Sequence, residues 1–386
     1  MGQDTTSSDP STGKLDFMFS GMTGGDGENS YAQNSTWQAR MVAMTLPKLF
    51  EDIKSMSLTD RDQVFRIADL GCSSGPNTIR NVEAVIEQVR ARYKEAEVDT
   101  SSGPEIQVYF QDLPNTDFNT LIKFLFSQPR SDEEKVQKYM SAAVPGSFYD
   151  RLFPKSTINI ALSTFALHWL SEIPAAVRDK ASPAYNGGNT QIKRSSLATK
   201  EAFAEQAKRD LDRFLAARAH EIGPGGLLFM IFLIRPDEQS GTTLVEDCED
   251  DVWDSLVREG TVPVQLRDDF NNPFYARNMD DVNTLLESYG SVFEVQRRDI
   301  STIFLKDLLR VYLDPREAAR AKTNAHRGAT FKAMEAYIGE SATRIYFQKF
   351  EEALGEIYAR EKVIFERDGS ESPELLSFTL LILRRK

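Results

Sequence analysis

The fold is decided by the stretch FRIADLGCSSGPN at residues 65–77. Its first six residues are mostly apolar and predict a buried strand, which ends at the glycine at 71. From 78 to 93, apolar residues recur every three or four positions and predict a helix. The stretch is therefore a strand, a glycine-containing turn and a helix, which is the unit from which α/β sheets are built.

Further apolar runs predict strands of the same sheet at 106–110, 158–164 and 227–234. The last run, LLFMIFLI, is apolar throughout and requires cover on both of its faces, as in a parallel sheet between helices. A helix is predicted at 197–220, and the apolar run 375–383 predicts a return to the sheet. Because strands alternate with helices, the chain is predicted to be a Rossmann-like, doubly wound α/β domain.

The sequence also predicts an inserted cap. Segments 241–286 and 303–365 are mainly helical in pattern and interrupt the alternation of strands and helices. We predict an α/β core at 15–240 and 366–386, and a mostly helical cap at 241–365 that includes a core-type strand near 292–301. Residues 1–14 are predicted to be a disordered tail. They lack the apolar core of a signal peptide, so we expect a cytoplasmic protein.

Composition excludes several classes of function. The net charge of −12 disfavours nucleic-acid binding, and no apolar run approaches the ~18–20 residues that span a bilayer. Two distant cysteines, Cys72 and Cys248, exclude a disulfide scaffold and a cysteine-based zinc site. The histidines at 168, 220 and 326 do not have the spacing of metal ligands.

Acidic residues stand at the ends of two predicted strands. Asp69 precedes a turn whose glycines do not follow the G-x-G-x-x-G spacing, which favours a ligand with a cationic amine over a pyrophosphate. Asp112 suits the hydroxyls of a ribose. Its alternative role, as the cap of the next helix, is better served by Asp117. Together the two acids indicate a nucleoside-type cofactor.

Three further motifs each allow a functional and a structural interpretation. Ser147 and Phe148 could fold over a purine ring, or they form a tight turn with a core phenylalanine. His168 and Trp169 follow the strand at 158–164 and can both hydrogen-bond an oxyanion, or they pack in the core. The run DDFNNPFY at 268–275 offers oxygen ligands of the kind Mg²⁺ prefers, although its spacing favours a solvated acidic turn.

In their order along the chain, these motifs resemble those of the plant SABATH methyltransferases. The matching segments are SYAQNS (30–35), ADLGCSSGPN (68–77), DLP (112–114), DFN (117–119), VPGSFY (144–149), RLFP (151–154), ALHWLS (166–171) and PGG (224–226). The resemblance covers roughly residues 18–386. Members transfer a methyl group from S-adenosylmethionine (SAM) mostly to the carboxylates of small acids, and in a minority to xanthine nitrogens. The resemblance implies SAM as cofactor, Mg²⁺ in some members, and a homodimer.

The resemblance also implies roles for individual residues. The cofactor's methionine part would be surrounded by Tyr31, Ser35, Asp69, Cys72 and Asn77, its ribose held by Asp112 and Leu113, and its adenine by Ser147 and Phe148. The catalytic residues facing the acceptor would be Gln38, His168 and Trp169, in a pocket lined by Thr23, Phe165, Leu233 and Tyr275. The positions that hold Mg²⁺ in some members are occupied by Asn186, Asp268, Phe270 and Asn271.

Three departures from the family pattern concern the acceptor. Phe165 stands where many members have tyrosine, and Thr23 replaces the lysine or asparagine often found before the glycine pair. The segment 242–251 matches poorly, and the pocket tryptophan of several ester-forming members has no clear counterpart. These departures affect the choice of acceptor rather than the type of reaction.

We predict a SAM-dependent O-methyltransferase that converts the carboxylate of a small aromatic acid, such as a benzoate, salicylate or cinnamate, to its methyl ester. A carboxylate is already ionised at neutral pH and needs no general base, which agrees with the lack of a base–nucleophile dyad. The alternatives are N- or S-methylation of a xanthine-like molecule or a thiol in the same pocket, and a non-catalytic small-molecule-binding member. Intact Asp69, Asp112 and Ser147 argue against the last.

Overall fold

The computed structural model describes residues 21–58, 63–96, 104–127, 139–235 and 243–386, so the predicted tail at 1–14 lies outside the described residues. The strands are β1 (Phe65–Leu70), β2 (Ile106–Asp112), β3 (Met140–Pro145), β4 (Ile158–Thr164), β5 (Ile222–Arg235), β6 (Arg277–Asn278), β7 (Phe293–Phe304) and β8 (Glu374–Arg385). The helices are α1 (Tyr31–Asn34), α2 (Thr36–Lys54), α3 (Pro76–Glu95), α4 (Phe118–Ser127), α5 (Leu197–Glu221), α6 (Thr243–Arg258), α7 (Val264–Asp269), α8 (Met279–Ser288), α9 (Leu305–Tyr312), α10 (Pro315–Ile338) and α11 (Glu340–Asp368).

The strands form one sheet in the order β3-β2-β1-β4-β5-β8-β7, and β6 adds a short pairing to β5. Strands β1 to β5 pair in parallel, whereas β8 runs antiparallel to both β5 and β7. The chain reverses its direction of winding between β1 and β4, which is where open α/β sheets bind ligands. The predicted doubly wound α/β fold is confirmed.

Both faces of the sheet are covered, as the apolar run in β5 requires. Leu227, Phe229 and Ile231 pack in a cluster that includes residues of α2 and α3. The intervening Leu228, Met230 and Phe232 pack in a second cluster, which includes residues of α5 and α8. This alternation follows from the opposite directions of successive side chains in a strand.

The helices beyond the sheet form a third cluster. It joins α6, α9, α10 and α11 around buried Trp253, Leu305, Phe350 and Tyr358. The cap consists of two separate stretches, because α8 packs on the sheet through Met279 and Val282 and β7 pairs with β8. The predicted core-type strand near 292–301 corresponds to β7, so the difference from the predicted cap at 241–365 concerns α8, since an apolar helical stripe does not reveal which surface it covers. Within the described ranges, no helix combines the length and apolarity needed to span a membrane.

Candidate active site

A cavity of about 210 Å³ opens at the carboxyl ends of the central parallel strands and reaches into the cap. Its sheet-side walls come from the turns that follow the strands, namely Gly71 and Ser73 after β1, Asp112 and Leu113 at the end of β2, Ser147 and Phe148 after β3, and Thr164, Phe165 and Ala166 at the end of β4. The sheet thus brings four of the nine predicted cofactor residues, those proposed for the ribose and the adenine, to one cleft.

At Gly71 the backbone itself forms a wall of the cleft, because this residue has no side chain. Its φ of +79° is one that glycine adopts without strain, and a Cβ there would lie 2.5 Å from the Cβ of Ala166 and 3.4 Å from the Phe148 ring. A side chain at this position would therefore push apart two walls of the cleft.

Asp69 presents a buried oxygen that lacks a partner. Its Oδ2 accepts a hydrogen bond from the Thr78 hydroxyl, while Oδ1 has no hydrogen-bond partner among the described residues. Burial raises the pKa of Asp69 to about 7, Thr78 opposes this rise and the charge of Asp112 adds to it. With Tyr31, Gln38, Cys72 and Asn77, among others, Asp69 lines a small cavity of about 30 Å³. A cationic amine would satisfy this oxygen and stabilise its charge, which fits the α-amino group of SAM.

Asp112 fixes two turns at once. Its Oδ2 accepts from the backbone N–H of Ser73 at 2.6 Å, and its Oδ1 accepts from the N–H of Leu113 at 2.7 Å and from the Thr116 hydroxyl at 2.8 Å. Burial raises the pKa of Asp112, and these hydrogen bonds oppose the rise. The cap of α4 is Asp117 instead, which accepts from the N–H of Thr120 at 3.0 Å. Asp112 is therefore free of the capping role and borders the cleft.

The wall predicted to hold adenine is anchored by a buried ion pair at the end of α5. Arg218 and Glu221 lie 2.8 Å apart, each with 1% of its side chain exposed. Arg218 donates to the carbonyls of Phe148, at 2.8 Å, and Asp150, at 3.0 Å. Glu221 accepts from the backbone N–H groups of 152 and 153. The pair thereby fixes the 148–153 loop that carries Phe148.

The predicted methionine-side residues divide into those that border a cavity and those that support them. Tyr31, Cys72 and Asn77 line the small cavity beside Asp69. Ser35 does not line it. Instead, its carbonyl and hydroxyl oxygens accept from Asn77 Nδ2 at 3.0 and 2.8 Å. Ser35 therefore positions Asn77, because its short side chain is engaged in this contact.

A second cavity of about 150 Å³ adjoins the first, and both are bordered by Tyr31, Phe165 and Trp169. Gln38 and His168 also line it, and Gln38 Oε1 and His168 Nδ1 are buried without a hydrogen-bond partner in the described parts of the chain. Burial lowers the pKa of His168 to about 3, and the charges of Arg277 and Lys322 lower it further. The imidazole is therefore neutral at physiological pH.

The backbone around His168 and Trp169 is held by hydrogen bonds from two buried side chains. The Tyr149 hydroxyl donates to the Trp169 carbonyl at 2.6 Å, and buried Arg277 donates to the Leu167 carbonyl at 2.7 Å. The neighbouring Phe165 has a φ of +54°, a strained conformation for a large side chain that is typical of functional turns. These contacts hold the two predicted catalytic residues at the edge of the cavity.

Two predicted pocket residues lie outside both cavities. The Thr23 hydroxyl accepts from the N–H of Lys332 at 3.3 Å, so its side chain joins the loop to α10 while neighbouring Met22 lines both cavities. Tyr275 packs on a cluster with Leu170, whereas Phe274 lines the second cavity together with the predicted Leu233. Phe274 and Tyr275 are adjacent in an extended segment, where successive side chains point in opposite directions, so only one of them faces the cavity.

Several of the side-chain oxygens at the predicted Mg²⁺ positions are already engaged within the protein. Asn186 Nδ2 donates to Asn271 Oδ1 at 3.0 Å, and Asn186 Oδ1 accepts from the Ser195 hydroxyl. Asp268 forms an ion pair with Arg267 at 2.7 Å through Oδ1, and Phe270, which the resemblance proposes as a ligand through its backbone carbonyl, packs its ring in the cap. Both asparagine side-chain oxygens and one carboxylate oxygen of Asp268 are thus engaged, whereas Mg²⁺ requires several oxygen ligands.

The cap contributes residues that the sequence did not single out. Trp253, Glu249, His326 and Tyr346 line the first cavity, and Glu249, Lys322 and His326 line the second. The acidic run at 246–251 is partly buried, and its Asp250 accepts from the backbone N–H of Thr190 at 2.8 Å. The available signal was the helical spacing of 245, 249, 252 and 256, which places Glu249 on an apolar face.

A doubly wound sheet with carboxylates at the ends of β1 and β2, above a cleft closed by helices, defines a SAM-dependent methyltransferase. The family model described as SAM-dependent carboxyl methyltransferase matches residues 19–367. The chain therefore belongs to this family, and the resemblance stated from its motifs is confirmed.

Several known proteins are similar over nearly the whole chain. Gibberellic acid methyltransferase 2 of Arabidopsis thaliana is 34% identical, over 90% of this chain and 91% of that protein. Indole-3-acetate O-methyltransferase 1 of the same plant is 36% identical, over 88% of this chain and 90% of its own length. The solved structure of loganic acid methyltransferase with SAH has a TM-score of 0.79 and 29% identity, and the match covers 95% of this chain and 98% of that one.

Proposed function

We propose that this SAM-dependent carboxyl methyltransferase forms the methyl ester of a small acid with a flat, apolar body, of the benzoate or cinnamate type. The observation that carries the proposal is the second cavity. It is bounded mainly by apolar and aromatic side chains, including Phe165, Leu233 and Phe274, and it adjoins the cofactor cleft through Tyr31 and Trp169. The similar proteins named for indole-3-acetate and loganic acid methylation also act on carboxylic acids.

The chemistry requires little beyond orientation. SAM, when bound, supplies an electrophilic methyl group on a sulfonium, and a carboxylate with a pKa of about 4 is already a nucleophile. Because His168 is neutral, it cannot form an ion pair with the carboxylate of the acceptor, but its ring can donate one hydrogen bond to it. The amide of Gln38 and the indole N–H of Trp169 can donate others. These donors would hold one carboxylate oxygen in position, which is the main contribution that such a site can make.

The cofactor would be held by residues of the cleft. Asp69 would accept from its amine, Asp112 and Leu113 would hold the ribose, and the adenine would lie against Ser147 and Phe148. The unpartnered Asp69 oxygen and the space above Gly71 support this arrangement.

The walls of the second cavity would supply affinity for the acceptor. Burial of ~100 Å² of an aromatic ring at ~25 cal/mol per Å² contributes a few kcal/mol. The apolar walls would also exclude water, so that the hydrogen bonds to the carboxylate are formed in a medium of low dielectric constant.

A radiolabelled transfer assay tests the proposal. The protein is incubated with methyl-labelled SAM and a panel of aromatic acids, xanthines and thiols, and the products are then treated with mild alkali. Methyl esters release labelled methanol under these conditions, whereas N-methyl and S-methyl products retain the label. We expect alkali-labile label from aromatic acids. Transfer to xanthines or thiols alone would contradict the proposal.

Two further expectations are proposals of the same kind. A homodimer is implied by the family resemblance, and light scattering at low protein concentration would detect it. We also propose a cytoplasmic location, and imaging of a fluorescent fusion would test it.

A further inference from the structure

Two ionisable side chains of the cap face the second cavity without meeting each other. Glu249 projects from α6 and Lys322 from α10, and both border the cavity. Glu249 Oε2 accepts from Gln191 Nε2, but Oε1 lies 3.9 Å from His326 Nδ1, which is beyond hydrogen-bond distance. Lys322 forms no hydrogen bond or ion pair with any residue in the ranges that the structure describes.

The surroundings of these two groups leave their hydrogen-bonding capacity unmet. Burial raises the pKa of Glu249 to about 8, an effect that Glu246 and Asp250 increase and Lys322 opposes. Burial lowers the pKa of Lys322, and Glu249 opposes this change. The other charged neighbour, Glu246, already pairs with Arg235 at 2.8 Å. Buried polar groups are costly unless they are hydrogen-bonded, so a ligand that contacts both groups gains affinity.

The hydrogen-bonding chemistry of Glu249 and Lys322 indicates which ligand group could contact both. A ring N–H can donate to Glu249 but cannot accept from Lys322, and a carbonyl oxygen can accept from Lys322 but can contact Glu249 only when its carboxyl is protonated. A hydroxyl serves both groups in either state, because it accepts from the ammonium and either donates to the carboxylate or accepts from the protonated carboxyl. An unsubstituted aromatic acid would leave Lys322 and the Oε1 atom of Glu249 without partners.

We propose that the acceptor is a hydroxylated carboxylic acid, and that a hydroxyl on its body, separate from the reacting carboxylate, binds between Glu249 and Lys322. This inference rests on the proposed function and narrows its substrate class. Glu249 and Lys322 are specificity-determining residues in this view. They do not take part in methyl transfer.

Matched pairs of acids test the inference. Values of kcat/KM are measured for phenylacetate against its 3- and 4-hydroxy derivatives, and for cinnamate against the corresponding hydroxycinnamates. A hydrogen bond to a charged group is expected to favour the better-placed hydroxylated acid by about 10- to 100-fold. In Glu249→Leu and Lys322→Met, that ratio should fall towards one. Lys332→Met, an exposed position on the same helix, should retain the ratio of the unmodified protein.

The outcomes separate this inference from the function on which it rests. If the unmodified protein methylates parent and hydroxylated acids equally well, or if the variants lose both to the same extent, the inference is overturned while the proposed function stands. If no acid is methylated at all, the proposed function itself fails. Calorimetric binding of S-adenosylhomocysteine (SAH) verifies that each variant is folded, and if Glu249→Leu does not bind it, the Lys322→Met ratio decides.

Discussion

The affinity of the protein for SAH should rise with pH, because Asp69 must be ionised to meet the cationic amine. In the free protein, burial raises the pKa of Asp69 from 3.8 to about 7, so the carboxyl is mostly protonated one pH unit below that value and mostly ionised one unit above it. The ionised fraction changes about tenfold across this interval, and the association constant should increase by the same factor. Below the pKa, binding should release a proton.

Titration calorimetry in two buffers of different ionisation enthalpy measures both the affinity and the proton release. Asp69→Asn should bind SAH more weakly and lose the pH dependence, whereas Asp150→Asn, an exposed carboxylate in an ion pair with Arg213, should retain it. An SAH affinity that is constant across the interval in the unmodified protein, or a dependence that persists in Asp69→Asn, would refute the assigned role of this carboxyl.

Other consequences of the site can be measured separately. Trp169→Ala should lower kcat/KM for the acid more than about tenfold, because the indole borders both cavities and, in the proposed function, its N–H orients the carboxylate; a smaller loss in the transfer assay would contradict this. Glu221→Ala should lower the free energy of unfolding in urea by about 3–5 kcal/mol, because Arg218 is left buried without its partner. Since the pKa of His168 is about 3, a pH profile of kcat/KM for the acid, measured at saturating SAM so that Asp69 does not contribute, should show no inflection near the ordinary histidine value of 6.5. EDTA treatment should leave turnover unchanged, because Asn186 and Asn271 bond to each other; loss of turnover that Mg²⁺ restores would show otherwise.

The sheet was predictable because its central strands are short apolar runs closed by turn residues. The predicted strand at 158–164 has the observed bounds, and the segment at 227–234 lies within β5. Strand β3 was not predicted, because MSAAVP is neither strongly apolar nor alternating and much of it is exposed. The helix α8 was assigned to the cap, although its apolar face packs on the sheet. A periodic pattern predicts a helix but does not reveal its partner.

The cofactor side of the site was more accessible to sequence reasoning than the acceptor side. Asp69 and Asp112 each stand directly at the end of a strand, so the parallel sheet alone brings them to one edge. Phe274 and Tyr275 are adjacent in an extended segment, and only the three-dimensional structure tells which of the two faces the cavity. Glu249 lies in an acidic run that has the composition of a solvated helix face. Its burial depends on the packing of α6 against α11 and on His326 of α10, elements that are far from α6 in the chain.

The separation of the two cap stretches bears on how the acceptor is chosen. Orientation of a carboxylate needs only the donors at the sheet edge, and these do not distinguish one acid from another. Discrimination between acids must therefore come from the rest of the cavity. Glu249 lines it from the cap stretch before α8, and Lys322 lines it from the cap stretch after β7. Because none of the residues proposed to orient the carboxylate lies in either stretch, we expect that substitutions in either can change the acceptor while the cofactor cleft is preserved. Since Glu249 lies on one cap stretch and Lys322 on the other, the two residues would bind a hydroxyl together only when the two stretches are packed against each other.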